Sequence, residues 1–377
     1  MAATLLLWTT RFLTLLLMVV SVLPLIPSGE WWIRLWEFPR LQLAVALVLP
    51  LGLLAIHAWR YRPRAEHGVL LVALLGTGAW QLSHILPFTS LWPEEVPAAE
   101  EEPDNARSTF KMLTANVTYN NDRYDELLDR VRREDPDILL LIEVNRAWAE
   151  ALVPLDEHYP HRVGEVRGEG LGIVLWSRFP LLEQEVKHLV TDRRPSVFAT
   201  LELPEVGPVR YVGIHPVPPG LRDRIARNNK MSERRDSRIR DAELMLVARH
   251  VEEDPDNRWI VTGDFNDVGW SDTTRLFSSL SGLKDPRRGR ALLNTFPVEK
   301  PLLRYPIDHL FVSDGFHLVD MGRVRLPGSD HFGITAELSV AQKDREKPDA
   351  SAEEQQEASE MIEEGDEDAD EHGVSSD

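Results

Sequence analysis

Three long apolar runs, at residues 2–26, 41–59 and 68–92, dominate the first quarter of the chain. Each is close to the ~20 residues that a helix needs to cross a bilayer. A cleaved signal peptide is an alternative for the first run. That run lacks a basic start and a small-residue cleavage site, however, and two further apolar runs follow it. The pattern predicts a membrane anchor of three transmembrane helices over residues 1–92, embedded in a lipid bilayer.

The polar breaks between these runs predict an orientation. Arg60, Arg62 and Arg64 separate the second run from the third, whereas acidic residues follow the third run. Because short loops rich in Lys and Arg stay in the cytoplasm, this loop is predicted to be cytoplasmic, and the part of the chain after the third run to lie outside. Arg34 and Arg40 in the first loop weaken this contrast.

Residues 108–341 alternate between strand-like and helix-like patterns. Predicted strands cover residues 110–117, 137–142, 171–176, 196–203, 209–214, 259–261, 307–312 and 334–338, and predicted helices cover residues 125–133 and 238–252. Strands outnumber helices, which favours a layered α/β sandwich of two mostly antiparallel sheets. A block of this length can bury a full hydrophobic core.

Two acidic segments flank this block. Residues 93–107 are rich in Pro and Glu and are predicted to be a linker. Residues 342–377 are acidic, contain few large apolar residues and are predicted to form a disordered, solubilising tail. These segments carry most of the net charge of −19. The mildly acidic middle block therefore does not predict a broad cationic surface for nucleic acid.

Polar residues lie at the ends of several predicted strands. They are Asn116, Glu143, His215, Asp264 with Asn266, Asp308 with His309, and Asp330 with His331. Strand ends of a sandwich can meet at one rim, where carboxylate and amide oxygens suit Mg²⁺ or Mn²⁺. Such an ion polarises a phosphoryl oxygen, and an Asp or His beside it can activate water.

Each of these residues also has an ordinary structural explanation. Glu143 could cap a buried strand, Asn116 could belong to a turn, and residues 263–266 could form an Asx turn. The combination in this order favours a common site. The chain has no cysteine, which excludes thiolate metal ligands and cysteine nucleophiles. It also has no HExxH, P-loop or GxSxG motif.

These motifs together resemble the endonuclease/exonuclease/phosphatase superfamily. The resemblance rests on Asn116, Glu143, the strand ending at Ser177-Arg178, His215, the GDFN run at 263–266, Asp308 and the Ser-Asp-His run at 329–331, and it covers nearly all of residues 108–340. It implies a four-layered, deoxyribonuclease-like α/β sandwich that cleaves phosphoester bonds with a divalent metal ion. The three preceding spans are similar to a bacterial membrane-anchored branch. With the arginine pattern they predict a multi-pass protein of the bacterial inner membrane whose catalytic domain is periplasmic.

The resemblance also implies a role for each residue. Asn116, Glu143 and Asp330 would form the Mg²⁺ or Mn²⁺ environment. Asp264 would orient or deprotonate the attacking water. Asn266 would hold the phosphate, and His215 would contact the phosphate or assist the leaving group. His331, paired with Asp308, would activate the nucleophile or stabilise charge, with the division of labour between His331 and Asp264 left open. His309 is expected to pack on the opposite face of its strand.

Three functions remain open for such a chain. The first is a membrane-tethered phosphodiesterase or nuclease, and the second is a phospholipid or lipid-linked phosphate hydrolase. A lipid enzyme should expose apolar loops beside the site, for which Trp270 and Phe296 are the candidates in the sequence. The third is a binding protein with a relic site, against which the complete residue set argues. The basic run 222–240 could grip phosphate or simply be solvated. No protein partner is predicted.

Overall fold

The computed structural model describes residues 1–99, 109–219, 236–340 and 350–376, together with the backbone of residues 222–223 and 232–233. Its α-helices are α1 (Ala2–Val22), α2 (Trp31–Arg34), α3 (Arg40–Ala46), α4 (Val48–Tyr61), α5 (Ala65–Ile85), α6 (Tyr124–Glu134), α7 (Arg146–Ala151), α8 (Arg238–Glu252), α9 (Asp272–Ser281) and α10 (Ala352–Glu371). Its strands are β1 (Thr109–Asn116), β2 (Ile138–Ile142), β3 (His161–Glu165), β4 (Ile173–Ser177), β5 (Leu181–His188), β6 (Pro195–Leu203), β7 (Gly207–Ile214), β8 (Arg222–Asp223), β9 (Ser232–Glu233), β10 (Arg258–Asp264), β11 (Asp308–Val312), β12 (Phe316–Arg325) and β13 (Phe332–Val340).

The three apolar runs form three helical stretches, Ala2–Leu25, Arg40–Tyr61 and Ala65–Phe88. Each is long and apolar enough to cross a membrane, as the sequence predicts. The second stretch consists of α3 and α4, which follow each other across Leu47. Buried leucines from all three stretches, including Leu17 and Leu74, pack together into a small core of this helical part.

Two sheets form the centre of the rest of the molecule. One has six strands in the order β12-β13-β1-β2-β4-β3, and the other has five in the order β11-β10-β7-β6-β5. Within these two sheets the neighbouring strands are antiparallel, except that β1 pairs with β2 and β7 with β10 in parallel. Apolar side chains of both sheets, such as Leu140 and Leu201, are fully buried between them. Burial of each such side chain contributes about 1.5–3 kcal/mol.

Helices cover the outer face of each sheet. Leu127 of α6 and Trp148 of α7 pack on the six-stranded sheet. Leu244 of α8 and Phe277 of α9 pack on the five-stranded sheet. The result is a four-layered α/β sandwich, which confirms the predicted fold class.

The register of the strands places the predicted polar residues at one rim. Because β1 and β2 are parallel, Asn116 lies opposite Ile142, next to Glu143. In the other sheet Asp264 pairs directly with Asp308, and the preceding residue of β10 pairs with Ile214, next to His215. Both sheets therefore deliver polar side chains to the same end of the sandwich.

A hydroxyl pair joins the two sheets just below this rim. The Oγ1 atoms of Thr114 and Thr262 are 3.0 Å apart, and both side chains are buried. Side chains two residues apart in a strand point to the same face. The contact therefore aims Asn116 and Asp264, each two residues further on, towards one another.

The first position of the GDFN run, Gly263, requires glycine. Its φ of +153° is rare for a residue with a side chain. A Cβ at this position would lie 1.9 Å from the carbonyl oxygen of Ile214 in the neighbouring strand. Only glycine therefore lets β10 approach β7 closely enough to bring Asp264 beside His215.

The predicted disordered tail is wrong for residues 352–371, which form helix α10. The Ser351 hydroxyl accepts from the Glu354 backbone N–H, and the Glu354 carboxylate accepts from the Ser351 N–H, so the helix begins with a capping box. Small residues then line its buried side, where Gly365 meets Ala242 of α8. Composition misled the prediction because small residues suffice for close helix packing, whereas acidic residues occupy the solvent side. Residues 341–349 lie outside the described part of the chain.

The described part of the predicted linker packs on the sandwich. Val96 is buried in the core between the sheets, and the Leu318 N–H donates to the Pro97 carbonyl at 2.8 Å. Glu95 forms an ion pair with Arg288 at 3.1 Å. Residues 93–99 therefore tie the end of the anchor to β12.

We expect Gly365→Leu to detach α10, because a Cβ there would lie 2.2 Å from the Ala242 Cβ. Overpacking of this kind costs about 1–3 kcal/mol. A glutamyl endopeptidase should then cleave the Glu-rich helix about 10-fold faster in the full-length Gly365→Leu variant than in the parent protein. Gln356→Leu, at an exposed position of the same helix, is the control and should leave the rate unchanged, since it removes no cleavage site. Equal protection in both variants would show that α10 is not docked through Gly365.

Candidate active site

The polar rim opens into a cavity of about 570 Å³. Six of the predicted site residues line it, namely Glu143, His215, Asp264, Asn266, Asp330 and His331. The other two, Asn116 and Asp308, lie behind this wall and contact it through hydrogen bonds. The structure thus brings all eight residues into one neighbourhood.

Asn116 connects the two sheets at the floor of the cavity. Its Nδ2 donates to Glu143 Oε1 at 3.1 Å and to Asp264 Oδ2 at 3.2 Å. Its Oδ1 accepts from the Thr118 N–H at 3.0 Å. One buried amide therefore fixes a carboxylate from each sheet.

Glu143 is held in a conformation that directs its carboxylate into the site. The residue directly follows β2 and has a φ of +69°. Its Oε2 accepts from the Tyr119 N–H at 2.9 Å. A Cβ on Gly170 would lie 3.2 Å from the same carboxylate, so the small residue leaves this face open. Backbone strain of this kind commonly marks functional positions.

Asp264 and Asn266 occupy a tight turn after β10. Asp264 Oδ1 accepts from the Asn266 N–H at 3.0 Å, and Asn266 has a φ of +52°. Asn tolerates this left-handed conformation better than most residues. The Asn266 Nδ2 donates to the Pro216 carbonyl at 3.0 Å, which fixes the amide beside His215.

His331 lies between two buried carboxylates. Its Nδ1 is 2.9 Å from Asp308 Oδ2, and its Nε2 is 3.7 Å from Asp264 Oδ2. Burial alone lowers the pKa of His331, but the charges of Asp308 and Asp264 outweigh it and raise the pKa to about 10. The ring is therefore cationic at neutral pH and stabilised by Asp308. Phe296 covers it at a centroid distance of 4.6 Å.

Asp264 itself is 1% exposed. Burial raises its pKa to about 7, although the positive charge of His331 opposes this shift. A carboxyl group with a pKa near neutrality can both accept and release a proton under physiological conditions.

His215 is a neutral imidazole in this arrangement. Burial, together with the positive charges of Arg194 and His331, lowers its pKa well below the usual value. Its Nδ1 is 3.3 Å from Arg194 Nη1, so Nδ1 is the acceptor of that contact. Its Nε2 faces Asp264 Oδ2 at 3.8 Å.

Asp330 is the exposed member of the set. Its Oδ1 accepts from the Thr118 hydroxyl, and its backbone N–H donates to the same hydroxyl at 3.3 Å. Thr118 therefore links Asp330 with Asn116, whose amide oxygen accepts from the Thr118 N–H.

His309 lies away from the cavity, as the strand pattern predicts. Its Nε2 donates to the Asp267 carbonyl at 2.8 Å, while its Nδ1 accepts from Arg287. The ring stacks on Phe311 and is fully buried. It packs the outer layer and holds the chain that follows Asn266.

The donors at the floor of the site fit a hard divalent cation. Glu143 and Asp330 offer carboxylate oxygens on the cavity wall, and the amide oxygen of Asn116 is a third oxygen beside Thr118. Asp264, Asp308 and His331 also place ligand atoms within 4.8 Å of one another. In that second group the His331 Nδ1 already forms an ion pair with Asp308. This ion pair explains why the three side chains lie close together without a metal ion. Glu143 and Asn116 stay the ligands that the sequence predicts for a metal ion.

Several lining residues were not predicted from the sequence. Arg194 and Tyr305 line the cavity, and Trp31, Leu35 and Phe38 reach it from the segment between the first two spans. No motif marks them, because their proximity to the site depends on how the anchor packs on the sandwich. Most of the basic run of residues 222–240 has side chains outside the described part of the chain, since full description resumes at residue 236.

An α/β sandwich with acids, amides and imidazoles at one rim defines a class of phosphoester hydrolases. The model of the endonuclease/exonuclease/phosphatase family matches residues 106–331, and the chain belongs to that family. The comparison with curated proteins found no match.

Solved structures with a similar fold come from bacteria and animals. An endonuclease/exonuclease/phosphatase from Beutenbergia cavernae DSM 12333 is 20% identical, with a TM-score of 0.48 over 62% of this chain and 72% of that chain. A family protein from Bacteroides thetaiotaomicron is 19% identical, with a TM-score of 0.48 over 63% of this chain and 99% of that chain. The human Nocturnin catalytic domain is 16% identical, with a TM-score of 0.47 over 63% and 96%.

We expect Asp308→Asn to lower kcat for phosphoester hydrolysis by about 10²–10⁴-fold. The amide removes the negative charge that keeps His331 protonated. The measurement is turnover of a bis-aryl phosphodiester by the full chain, with thermal unfolding as a check on folding. Asp320→Asn, at an exposed position of β12, is the matched control and should retain activity. Activity of Asp308→Asn within threefold of the parent would exclude a role for the pair.

Proposed function

We propose that the chain is a membrane-anchored, divalent-metal-dependent phosphoester hydrolase of the phosphodiesterase or nuclease type. The observation that carries this proposal is the convergence of Glu143, Asp264 and His331 on one cavity, each held by a buried hydrogen-bond partner. A pre-positioned set of this kind is what phosphoryl transfer requires, since positioning and charge stabilisation supply most of the rate.

Glu143, Asn116 and Asp330 are the proposed ligands of Mg²⁺ or Mn²⁺. All three provide oxygen donors, and the Thr118 backbone and hydroxyl connect Asn116 with Asp330. The ion when bound supplies positive charge that offsets the charge developing on the phosphate. Glu143 then keeps its orientation through the Tyr119 N–H.

The remaining residues act on the proton and on the phosphate. Asp264, with its pKa of about 7, accepts the proton of the attacking water. His331, kept cationic by Asp308, donates from Nε2 to a phosphate oxygen. Asn266 holds a second phosphate oxygen, and neutral His215 stands close enough to contact the phosphate or the leaving group.

We also propose that the protein lies in the bacterial inner membrane with its catalytic domain on the periplasmic side. Arg60, Arg62 and Arg64 lie in the loop between the second and third spans. The first loop contacts the sandwich, as when Arg34 meets Asp241 at 3.9 Å. The first loop and the sandwich would thus lie on one side of the membrane, and the arginine-rich loop on the other. The positive-inside rule then places the arginine-rich loop in the cytoplasm. A reporter active only after export, fused behind Ser376, tests this side, and its silence would reverse the orientation.

The test of the metal site uses the full chain in detergent, with a bis-aryl phosphodiester as substrate. We expect turnover with Mg²⁺ or Mn²⁺, no turnover with chelator, and a loss of about 10²-fold or more in Glu143→Gln. Mn²⁺ should raise the unfolding temperature of the parent and not of Glu143→Gln, because a ligand stabilises only the state that binds it.

Glu150→Gln is the control for this experiment, since Glu150 is an exposed acid on α7. It should keep both the activity and the thermal shift. Metal-independent turnover in the parent, or an unchanged thermal shift in Glu143→Gln, would contradict the assignment.

A further inference from the structure

Part of the active-site wall comes from the membrane anchor. The first apolar stretch ends at Leu25 and the second begins at Arg40, so residues 26–39 join two spans. We call these residues the interspan segment. Its side chains Trp31, Leu35 and Phe38 line the same cavity as Asp264 and His331.

Buried polar contacts fix the interspan segment on the sandwich. Arg34 is 7% exposed and Glu37 is 1% exposed, and the two form an ion pair at 3.3 Å. Arg34 also donates to the Thr273 hydroxyl. The Trp270 Nε1 donates to the Glu37 carbonyl at 2.7 Å. Such a set of desolvated, paired groups sets one geometry and is unlike a loose surface contact.

The same contacts continue to the turn after β10, which carries Asp264 and Asn266. Arg34 faces Asp241 at 3.9 Å, and Asp241 is bound by Arg240 at 2.6 Å. Arg240 in turn donates to the Asn266 carbonyl at 3.1 Å. The interspan segment is therefore connected through two side chains to the turn that carries a proposed phosphate-binding residue.

Trp270 was a sequence candidate for an exposed aromatic beside the site, and this prediction is wrong. Trp270 is 3% exposed and packs on Phe88 at the end of the third span. It packs at the contact between the N-terminal helices and the sandwich. Phe296 does line the cavity, as a lipid enzyme would require.

One wall of the cavity is apolar and lies next to the spans, where Trp31 and Leu35 are 39% and 48% exposed. Outside the cavity Leu302 is 84% exposed, and its carbonyl accepts from Gln42 in α3 at 2.9 Å. Exposed Trp and Leu side chains beside the end of a transmembrane helix are typical of the membrane–water interface.

Phe38 contacts Tyr305 across the inside of the cavity. Its ring meets the edge of Tyr305 at a centroid distance of 5.6 Å. An apolar lining thus extends from the polar rim towards the membrane side of the molecule. Bases of a nucleic acid strand need aromatic faces within a cationic groove. Among the described residues two arginines line the cavity, and both are already engaged, Arg34 with Glu37 and Arg194 with His215.

We propose that the substrate is a phosphoester that carries a long apolar chain and is taken from the bilayer surface. The phosphate group sits at the polar rim, and the apolar chain leaves between Leu35 and Phe38 towards the lipid. Water attacks phosphorus, Asp264 takes the proton of the water, and the bond to the leaving oxygen breaks. The products are a phosphate that carries the water oxygen and a leaving group that departs as phenolate or takes up the proton as an alcohol. This inference rests on the proposed hydrolase function and names its substrate class.

The test compares two phosphodiesters with the same leaving group, 4-nitrophenyl hexadecyl phosphate and 4-nitrophenyl methyl phosphate. The full chain is reconstituted in phosphatidylcholine vesicles with Mg²⁺ or Mn²⁺, and nitrophenolate release is followed. We expect kcat/KM for the hexadecyl ester to exceed that for the methyl ester by about 10-fold or more. Trp31→Ala combined with Leu35→Ala should reduce this ratio to near 1.

Trp32→Ala is the matched control. Trp32 is 48% exposed in the same segment and does not line the cavity, so this variant should keep the ratio of the parent. A ratio that falls equally in Trp32→Ala would show that membrane association alone sets the preference, and it would overturn the proposal.

The remaining outcomes distinguish a wrong substrate class from a wrong hydrolase function. Turnover of both esters without a preference for the hexadecyl chain overturns the substrate class and leaves the hydrolase function standing. Faster turnover of a single-stranded oligonucleotide than of the hexadecyl ester also overturns the substrate class. No turnover of any of the three by folded, metal-supplied protein rejects the hydrolase function itself.

Discussion

The hydrogen bonds of one buried amide hold the site together. Asn116 extends from the six-stranded sheet and donates to a carboxylate of each sheet, so the floor of the cavity exists only while the two sheets keep their relative position. The Thr114 and Thr262 hydroxyls fix that position in the core immediately below. An unpaired polar group at this depth would cost about 1–3 kcal/mol, so the three groups specify one arrangement of the sheets.

Charge then organises the layers around this floor. His331 is cationic between Asp308 and Asp264, and Arg240 is held between Asp241 and Asp267 on the far side of the GDFN run. Arg34 adds a third buried cation, supplied by the anchor. Acids that would repel each other are thereby separated by guanidinium and imidazole groups, which lets a net-negative domain bury several carboxylates near one cavity.

Polar motifs at the ends of buried strands predicted which residues lie together at one rim, because such residues are placed by the strands and not by flexible loops. The sequence predicted β2 and α8 closely, since both have clear apolar patterns. It missed β3, β5 and β12, which are half-exposed strands with many charged residues. It also missed the packing of the interspan segment and α10, because contacts between distant parts of the chain and close packing through small residues leave no strong apolar period in the sequence.

The place of Arg34 has a consequence for how the protein is made. Its partners Asp241 and Thr273 are synthesised about two hundred residues later, when the first two spans have already left the ribosome. Without the interspan segment the cavity lacks Trp31, Leu35 and Phe38, and Asp241 lacks its contact with Arg34. The complete cavity therefore forms only after the sandwich has been synthesised and has packed against that segment.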